Sequence, residues 1–502
     1  MNMPPEKTNN PKNNNKNGGV PTWQTLAHKR LLLGGGGNAH DSDSASSSSL
    51  LDVCGVGEGA VGEGGASSLG VGVGIPGASS VREGGGASAS TANRLGRFPA
   101  SQEGALLGGG VPGEECEWPD LLTSKECQVR ARVREYCETK VFTQAAELWE
   151  NAIHPKALWE GLGALGVGGG TTPSAYGGAG LSLVGAGLVN MELARVDGSL
   201  SAIYMIAGCL VTNTIVKLGS EAQKKKYLPQ LCAHRTVGSW ALTEAEAGSD
   251  ASGLRTLATP LGGGLWQLDG RKRWIGNAPV ASVIIIWARH AETGNTLAFA
   301  VEPGSTAGVS VKTMRGKVGL RAIQNGEIFL DGATVKEEAR LPGVKSFADA
   351  AGVLAQSRVM VTWQPVGLAQ GLYDVCLRHV KERMQFGVPL AASQVVQHKL
   401  MLMRANCNAM ALYAWRLTRR FEQGEASGPD AALAKAWVTL RGRECASIGR
   451  ELLGGDGLLA GSHVGKAFAD MEAYYTYEGT FDINLLVAGR AHTGISAIRP
   501  RM

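Results

Sequence analysis

The stretch Ala241-Leu-Thr-Glu-Ala-Glu-Ala-Gly-Ser-Asp250 stands where one kind of sequence pattern gives way to another. On its N-terminal side, from about 181 to 218 and again through 224–231, apolar residues recur at helical spacing, and Gly219 is a C-cap candidate. Further back, Thr123-Ser-Lys-Glu126 has capping-box spacing and opens a predicted helix with Val129, Val133, Tyr136, Cys137 and Val141 toward one face, ending before Pro155. On the C-terminal side the runs shorten: Leu265–Leu268, Val283–Trp287, Leu297–Val301, Val309–Lys312 and Glu327–Leu330 read as strands punctuated by Gly, Asp, Asn and Pro. After Pro342 long helical patterns return, at about 347–385, 393–422, 430–452 and 464–488. The predicted class is α+β: a helical domain at 114–236, a β domain at 237–342 and a bundle of about four helices at 343–502.

The 113 residues before these domains differ in kind. Of the chain's 71 glycines among 502 residues, 25 fall there, in Asn/Lys-rich, Ser-rich and Gly/Ala/Ser/Val-rich tracts. Such a composition buries too little apolar surface to offset the entropy of ordering it, so a disordered head is expected. The glycine excess follows no Gly-X-Y period, which excludes collagen. A net charge of +5, with no basic block longer than Lys224–Lys226, argues against a nucleic-acid partner. Nine scattered cysteines without a C-x-x-C pair argue against a zinc site or a disulfide framework, and fit reduced thiols inside a cell. No apolar run was expected to reach the ~18 residues of a membrane span. The terminal Pro500-Arg501-Met502 has the small/basic/apolar form of a peroxisomal address, with an arbitrary polar terminus as the alternative.

Several motifs offer chemistry. Two G-x-G-x-x-G matches, Gly57–Gly62 and Gly161–Gly166, lack the preceding strand that a dinucleotide site requires, and are read as chance or helix termination. The Ala241–Asp250 loop supplies Thr243, Gly248 and Ser249, either as an ordinary polar loop or as a cradle for a heterocycle and its pyrophosphate. Arg271–Asn277, one strand later, adds Trp274. Lys381–Pro389 ends a helix beside Gln394, so that Arg383 and a helix N-terminus suit a diphosphate or simply cap a corner. Glu451–Asp456 closes another helix with paired glycines. Tyr474–Asp482 surrounds Glu478 with tyrosines, whose desolvation would raise its basicity toward that of a general base; an exposed turn glutamate is the alternative.

Taken together and in this order, from about Trp118 to Ile498, the motifs resemble the acyl-CoA dehydrogenase/oxidase flavoprotein family. The resemblance implies FAD bound between the β domain and the bundle, an acyl-CoA substrate, and a homotetramer or homodimer. It implies that Leu242, Thr243 and Ser249 lie along the flavin and its phosphates, and that Trp274, with Ile275 and Gly276, covers one flavin face. Arg383, Gln394 and the stretch Glu451, Leu452, Leu453, Gly454 and Gly455 would reach the FAD of a neighbouring subunit, and Thr480 would touch the adenine-dinucleotide part of FAD. Ser249, Arg358 and Gly479 would line the acyl site, and Glu478 would be the catalytic base that yields trans-2-enoyl-CoA. No metal is implied.

The wording around Glu478, Arg383 and Glu451 resembles two branches, glutaryl-CoA dehydrogenase and plant-type peroxisomal short-chain acyl-CoA oxidase. Where glutaryl enzymes carry an arginine after Glu192-Leu-Ala-Arg-Val-Asp197, this chain has Ser201. Gly276 stands where most dehydrogenases have threonine, which was expected to free space for oxygen. Ala245 replaces the family's usual proline and Asp456 an asparagine. The leading expectation is a peroxisomal oxidase of short- to medium-chain acyl-CoA, with oxygen as acceptor and hydrogen peroxide as product. The alternatives are a mitochondrial dehydrogenase passing electrons to an electron-transfer flavoprotein and, from another class, a non-catalytic flavin- or nucleic-acid-binding module.

Overall fold

The computed structural model describes residues 118–497. The expectations for the head, for the Gly57–Gly62 motif and for Pro500–Met502 lie outside the described residues. Within them the chain is α+β, in the helix–strand–helix order expected.

Thr123 caps the first helix, α1 (Ser124–Tyr136), through the reciprocal pair with Glu126 that its spacing announced. Val129, Val133, Cys137 and Val141 are buried in succession, the last two in a π-helical turn leading into α2 (Phe142–Glu150). Gly161–Gly166 lies at the end of α3 (Lys156–Gly163), with no strand before it. The 181–218 region resolves into α4 (Leu183–Val196), α5 (Gly198–Tyr204), a π-helical turn (Met205–Val211) and α6 (Thr212–Leu218), followed by α7 (Glu221–Cys232). The 21 residues Gly198–Leu218 are long and apolar enough to cross a membrane, which corrects the expectation that no run comes near that length. Their most apolar 18-residue window is 89% buried within the protein itself, where a core helix has the same composition as a span.

Seven strands follow: β1 (Gly238–Ala241), β2 (Leu257–Gly262), β3 (Leu265–Gly276), β4 (Val283–His290), β5 (Thr296–Val301), β6 (Val309–Thr313) and β7 (Asn325–Lys336). They form one sheet in the order β1-β4-β2-β3-β7-β6, with β5 antiparallel on β4. Between Lys272 and Ile275 the β3–β7 register shifts, so Arg273 and Trp274 bulge out of the ladder before Gly276 pairs with Asn325. The bulge puts Trp274 in the left-handed region at φ 62°.

The C-terminal part has six helices where about four were expected: α8 (Phe347–Val361), α9 (Trp363–Glu382), α10 (Gln394–Glu422), α11 (Gly428–Leu452), α12 (Val464–Thr476) and α13 (Phe481–Thr493). The pattern expected as one helix over 347–385 breaks at Thr362. That over 464–488 breaks at Tyr477–Thr480, where Glu478 (φ 55°) and Gly479 (φ 90°) turn left-handed. Two glycines on one face of α9 allow it to cross α4 closely. A Cβ on Gly367 would lie 1.9 Å from the Met191 carbonyl oxygen, and one on Gly371 2.0 Å from that of Arg195. Part of the body's glycine content is therefore helix packing.

A buried carboxylate ties the three parts together. Asp470 of α12 accepts from Trp149 Nε1 at 2.7 Å, from the Leu320 backbone N–H and from Lys466, whose ammonium also pairs with Asp197 at 2.7 Å.

Candidate active site

The break between α12 and α13 builds the site around Glu478. Its carboxylate Oε2 accepts from the Ser357 hydroxyl at 3.0 Å, and its backbone carbonyl from Arg358 Nε at 3.1 Å, both on the last turns of α8. Lys435 of α11 is buried beneath the turn, and its ammonium donates to the carbonyls of Tyr475 (3.0 Å) and Gly479 (2.8 Å). Asn484 of α13 donates to the Gly479 and Thr480 carbonyls at 2.7 and 3.1 Å. The Thr480 hydroxyl, expected beside the dinucleotide, accepts from Ile483 N–H and caps α13. A backbone that has left the helix thus has its carbonyls satisfied from three directions.

The electrostatics follow from this packing. Burial pushes the Glu478 carboxyl above its ordinary range, opposed by Arg358, the Ser357 bond and Lys435. Burial also brings Lys435 down to about 7, against the pull of Glu478. The neighbouring Tyr477 hydroxyl donates to Gln364 Oε1, and Gln364 Nε2 donates to Ser201 Oγ at 3.0 Å. Ser201 in turn donates to the Asn190 carbonyl at 2.8 Å and is fully buried. The position where glutaryl enzymes carry an arginine is therefore closed into an uncharged hydrogen-bonded chain.

The second group of expected residues lies at one end of the β sheet. Thr243 accepts from Arg273 N–H at 2.9 Å, which brings the 241–250 loop against the Trp274 bulge. The loop is held from below by the buried pair Lys272–Glu244 at 2.8 Å; Lys272 also donates to the Leu242 carbonyl, and Glu244 accepts from Thr256 and Arg255. Ser249 is exposed, and a Cβ on Gly248 would meet nothing within 4 Å. The Trp274 indole is 55% exposed, an uncovered aromatic surface of the kind a ligand covers. These residues fit a flat aromatic cofactor with a polar edge. Leu242 and Ile275 have their side chains in the core and offer only backbone to this surface.

Gly276 departs from expectation. The space its missing side chain leaves is filled: a Cβ there would stand 2.4 Å from Ile206 Cδ1 and 3.2 Å from Ile323 Cδ1. Ile206 comes from the π-helical turn, which packs against β1 and α8. The inference that Gly276 opens a path for oxygen is corrected accordingly.

The third group is elsewhere. Gln364, bonded to Tyr477, begins α9 and Arg383 follows its end, so helical rise places them roughly 28 Å apart. Arg383, Gln394, Glu451, Gly454 and Gly455 are exposed at that far end, where Glu451 pairs with Lys399 at 2.7 Å. Leu452 and Leu453 there are buried. Ser357, Lys435, Gln364, Asn484 and Ile206 were not anticipated; each approaches from another helix, and no local pattern marked them.

The chain matches the N-terminal domain of acyl-CoA dehydrogenase over residues 123–235, its middle domain over 239–333 and its C-terminal domain over 347–492. It is 32% identical over 393 residues to glutaryl-CoA dehydrogenase of Desulfococcus multivorans, covering 75% of this chain and 98% of that one. It is 29% identical over 377 residues to mitochondrial isovaleryl-CoA dehydrogenase of Arabidopsis thaliana, covering 74% of this chain and 91% of that one. A glutaryl-CoA dehydrogenase from Mycobacterium smegmatis, solved in complex with FADH2, superposes with a TM-score of 0.73 at 30% identity, covering 76% of this chain and 97% of that one. From the three domain matches and the relationship to the Desulfococcus enzyme, the chain belongs to the acyl-CoA dehydrogenase family.

Proposed function

We propose that this protein is an FAD-dependent enzyme that converts a short- to medium-chain acyl-CoA to its trans-2-enoyl-CoA, with Glu478 as the base. The observation that carries the reading is the half-buried Glu478 carboxylate, made more basic by burial and aimed by a left-handed turn that three other helices hold in place.

When bound, FAD supplies the acceptor for the hydride leaving the substrate Cβ. The chain does the rest. Thr243, Ser249 and Trp274, with the backbone of Leu242, Ile275 and Gly276, form the surface for the flavin. Ser249, Arg358 and Gly479 line the acyl-CoA, and Thr480 lies toward the dinucleotide. The Glu478 backbone N–H stabilises charge developing on the thioester oxygen, while its carboxylate takes the α-proton. Arg383, Gln394 and Glu451–Gly455, roughly 28 Å from this site by the length of α9, serve the cofactor of a neighbouring copy in a homodimer or homotetramer. The uncharged chain through Ser201 favours an acyl group without a distal carboxylate.

For the final acceptor, the filled space at Gly276 and the dehydrogenase relatives favour an electron-transfer flavoprotein. The mitochondrial relative favours that compartment. The second reading is an oxidase, with oxygen as acceptor in peroxisomes. Butyryl-, hexanoyl- and isovaleryl-CoA added to the purified yellow protein should bleach the flavin. Persistence of the bleached state in air until an electron-transfer flavoprotein is added assigns the dehydrogenase, and stoichiometric hydrogen peroxide assigns the oxidase. A colourless protein, or one that no acyl-CoA bleaches, would sink the proposal.

A further inference from the structure

We propose that Lys435 is a positioning residue for the base: its buried ammonium clamps the left-handed turn that carries Glu478, and so sets where the carboxylate stands. The inference rests on the reading of Glu478 as the base and adds a group that touches neither the expected substrate nor the cofactor surface.

The geometry is specific. Lys435 is fully buried, with Nζ 3.0 Å from the Tyr475 carbonyl on the last turn of α12 and 2.8 Å from the Gly479 carbonyl beyond the turn. One cation therefore spans the two sides of the break, with Glu478 between them. Without it the Tyr475 carbonyl would lose its side-chain donor, the Gly479 carbonyl would keep only Asn484, and the turn would lose the bond that joins its ends. Asn484 and Arg358 hold the carbonyls of Glu478, Gly479 and Thr480, but neither bonds Tyr475. A buried ammonium is a costly way to satisfy carbonyls, and a neutral donor would serve packing alone. Its charge also acts on Glu478.

The charged and titratable groups facing this pair come from every side. Arg358 on α8 repels the Lys435 ammonium and stabilises the Glu478 carboxylate; Tyr477 on the turn has its hydroxyl pushed up by burial and, after that, by Glu478. Lys435 itself, brought down to about 7 by burial, is held toward the charged form by Glu478. Removing the ammonium deletes one of the influences that lower the Glu478 carboxyl. The glutamate then loses its proton only at higher pH, and the alkaline-going rise in rate moves up.

The test is single-turnover flavin reduction of the FAD-loaded protein by hexanoyl-CoA across pH, for wild type, K435M, K435Q and K435R, with E478Q as control. K435M should remain yellow and reduce flavin about a hundredfold more slowly, the scale of a misplaced catalytic group. Its pH midpoint should be raised, and K435R should restore both in part. K435Q keeps a donor without the charge, so it should recover rate more than midpoint; it also stands in if K435M does not fold. A folded K435M or K435Q with wild-type rate and midpoint overturns the clamp. Bleaching by E478Q at the wild-type rate overturns the underlying reading instead, and the two failures are told apart by which variant keeps activity.

Discussion

The Ser357 hydroxyl donates to Oε2 of Glu478 across 3.0 Å, although 121 positions separate the two residues. The bond is made to the charged form of the glutamate and so favours ionisation, against the burial that raises its carboxyl. Ser357→Ala removes a stabiliser of the carboxylate, so the Glu478 titration moves up. A base must be ionised to accept a proton, and the loss of rate should be largest on the acid side and vanish at alkaline pH. A pH profile of flavin reduction reads this directly; parallel loss at every pH would contradict it.

Replacing Glu478 by Gln keeps the size of the side chain and removes its proton affinity. Flavin bleaching should fall by about 10²–10⁴, the usual contribution of a general base. Retained FAD absorbance would show that the cofactor surface is intact. Bleaching within a factor of a few of wild type would remove Glu478 from the chemistry.

Gly276 and Ile206 share one volume, and their substitutions should therefore couple. Gly276→Ala introduces a Cβ 2.4 Å from Ile206 Cδ1, at an overpacking cost of about 1–3 kcal/mol. Ile206→Val removes that Cδ1, so the double variant should be less destabilised than the sum of the singles by about 0.5–3 kcal/mol. Urea unfolding of the four proteins measures this, and strict additivity would show that the two side chains do not compete.

Glu192 predicts an acid limit for the helical part. It is fully buried against Arg130 (2.7 Å) and Arg134 (3.1 Å), which overcome its desolvation and bring its carboxyl from 4.5 down to about 2. A depressed folded-state value means that this contribution is complete above about 4.5 and is lost as pH falls from there toward 2. Glu192→Gln should lower the melting temperature at pH 7, and the gap to wild type should narrow below pH 4. An equal gap at pH 7 and pH 3 would show that the pair does not act through charge.

The local features were legible because their causes are local. Thr123 and Glu126 are three residues apart and cap α1 as their spacing requires. The strand runs from Leu265 onward and the long helices after Pro342 follow periodicity that neighbouring residues impose on one another. The tyrosines of Tyr474–Asp482 drew attention to Glu478 as its immediate neighbours in the chain. Even so, the helical pattern over 464–488 concealed the break at 477–480, because the residues that stabilise the broken turn lie outside it. The span-length apolar run Gly198–Leu218 is likewise concealed within the helical pattern over 181–218, since Ser199, Ser201 and Tyr204 interrupt a hydrophobic count without interrupting a buried helix.

The order of helices, strands and helices, the caps and the place of Glu478 between two helices were determined by the sequence itself, through interactions spanning a few residues. Only the tertiary structure decided what surrounds Glu478 and what fills the space beside Gly276. Ser357, Lys435, Asn484 and Ile206 reach those places from separate elements. Burial among them, which no residue possesses alone, raises the Glu478 carboxyl and brings Lys435 down to about 7. The physical reason is that desolvation and close packing depend on distances between side chains far apart in the chain, and spacing along the chain carries no such distance.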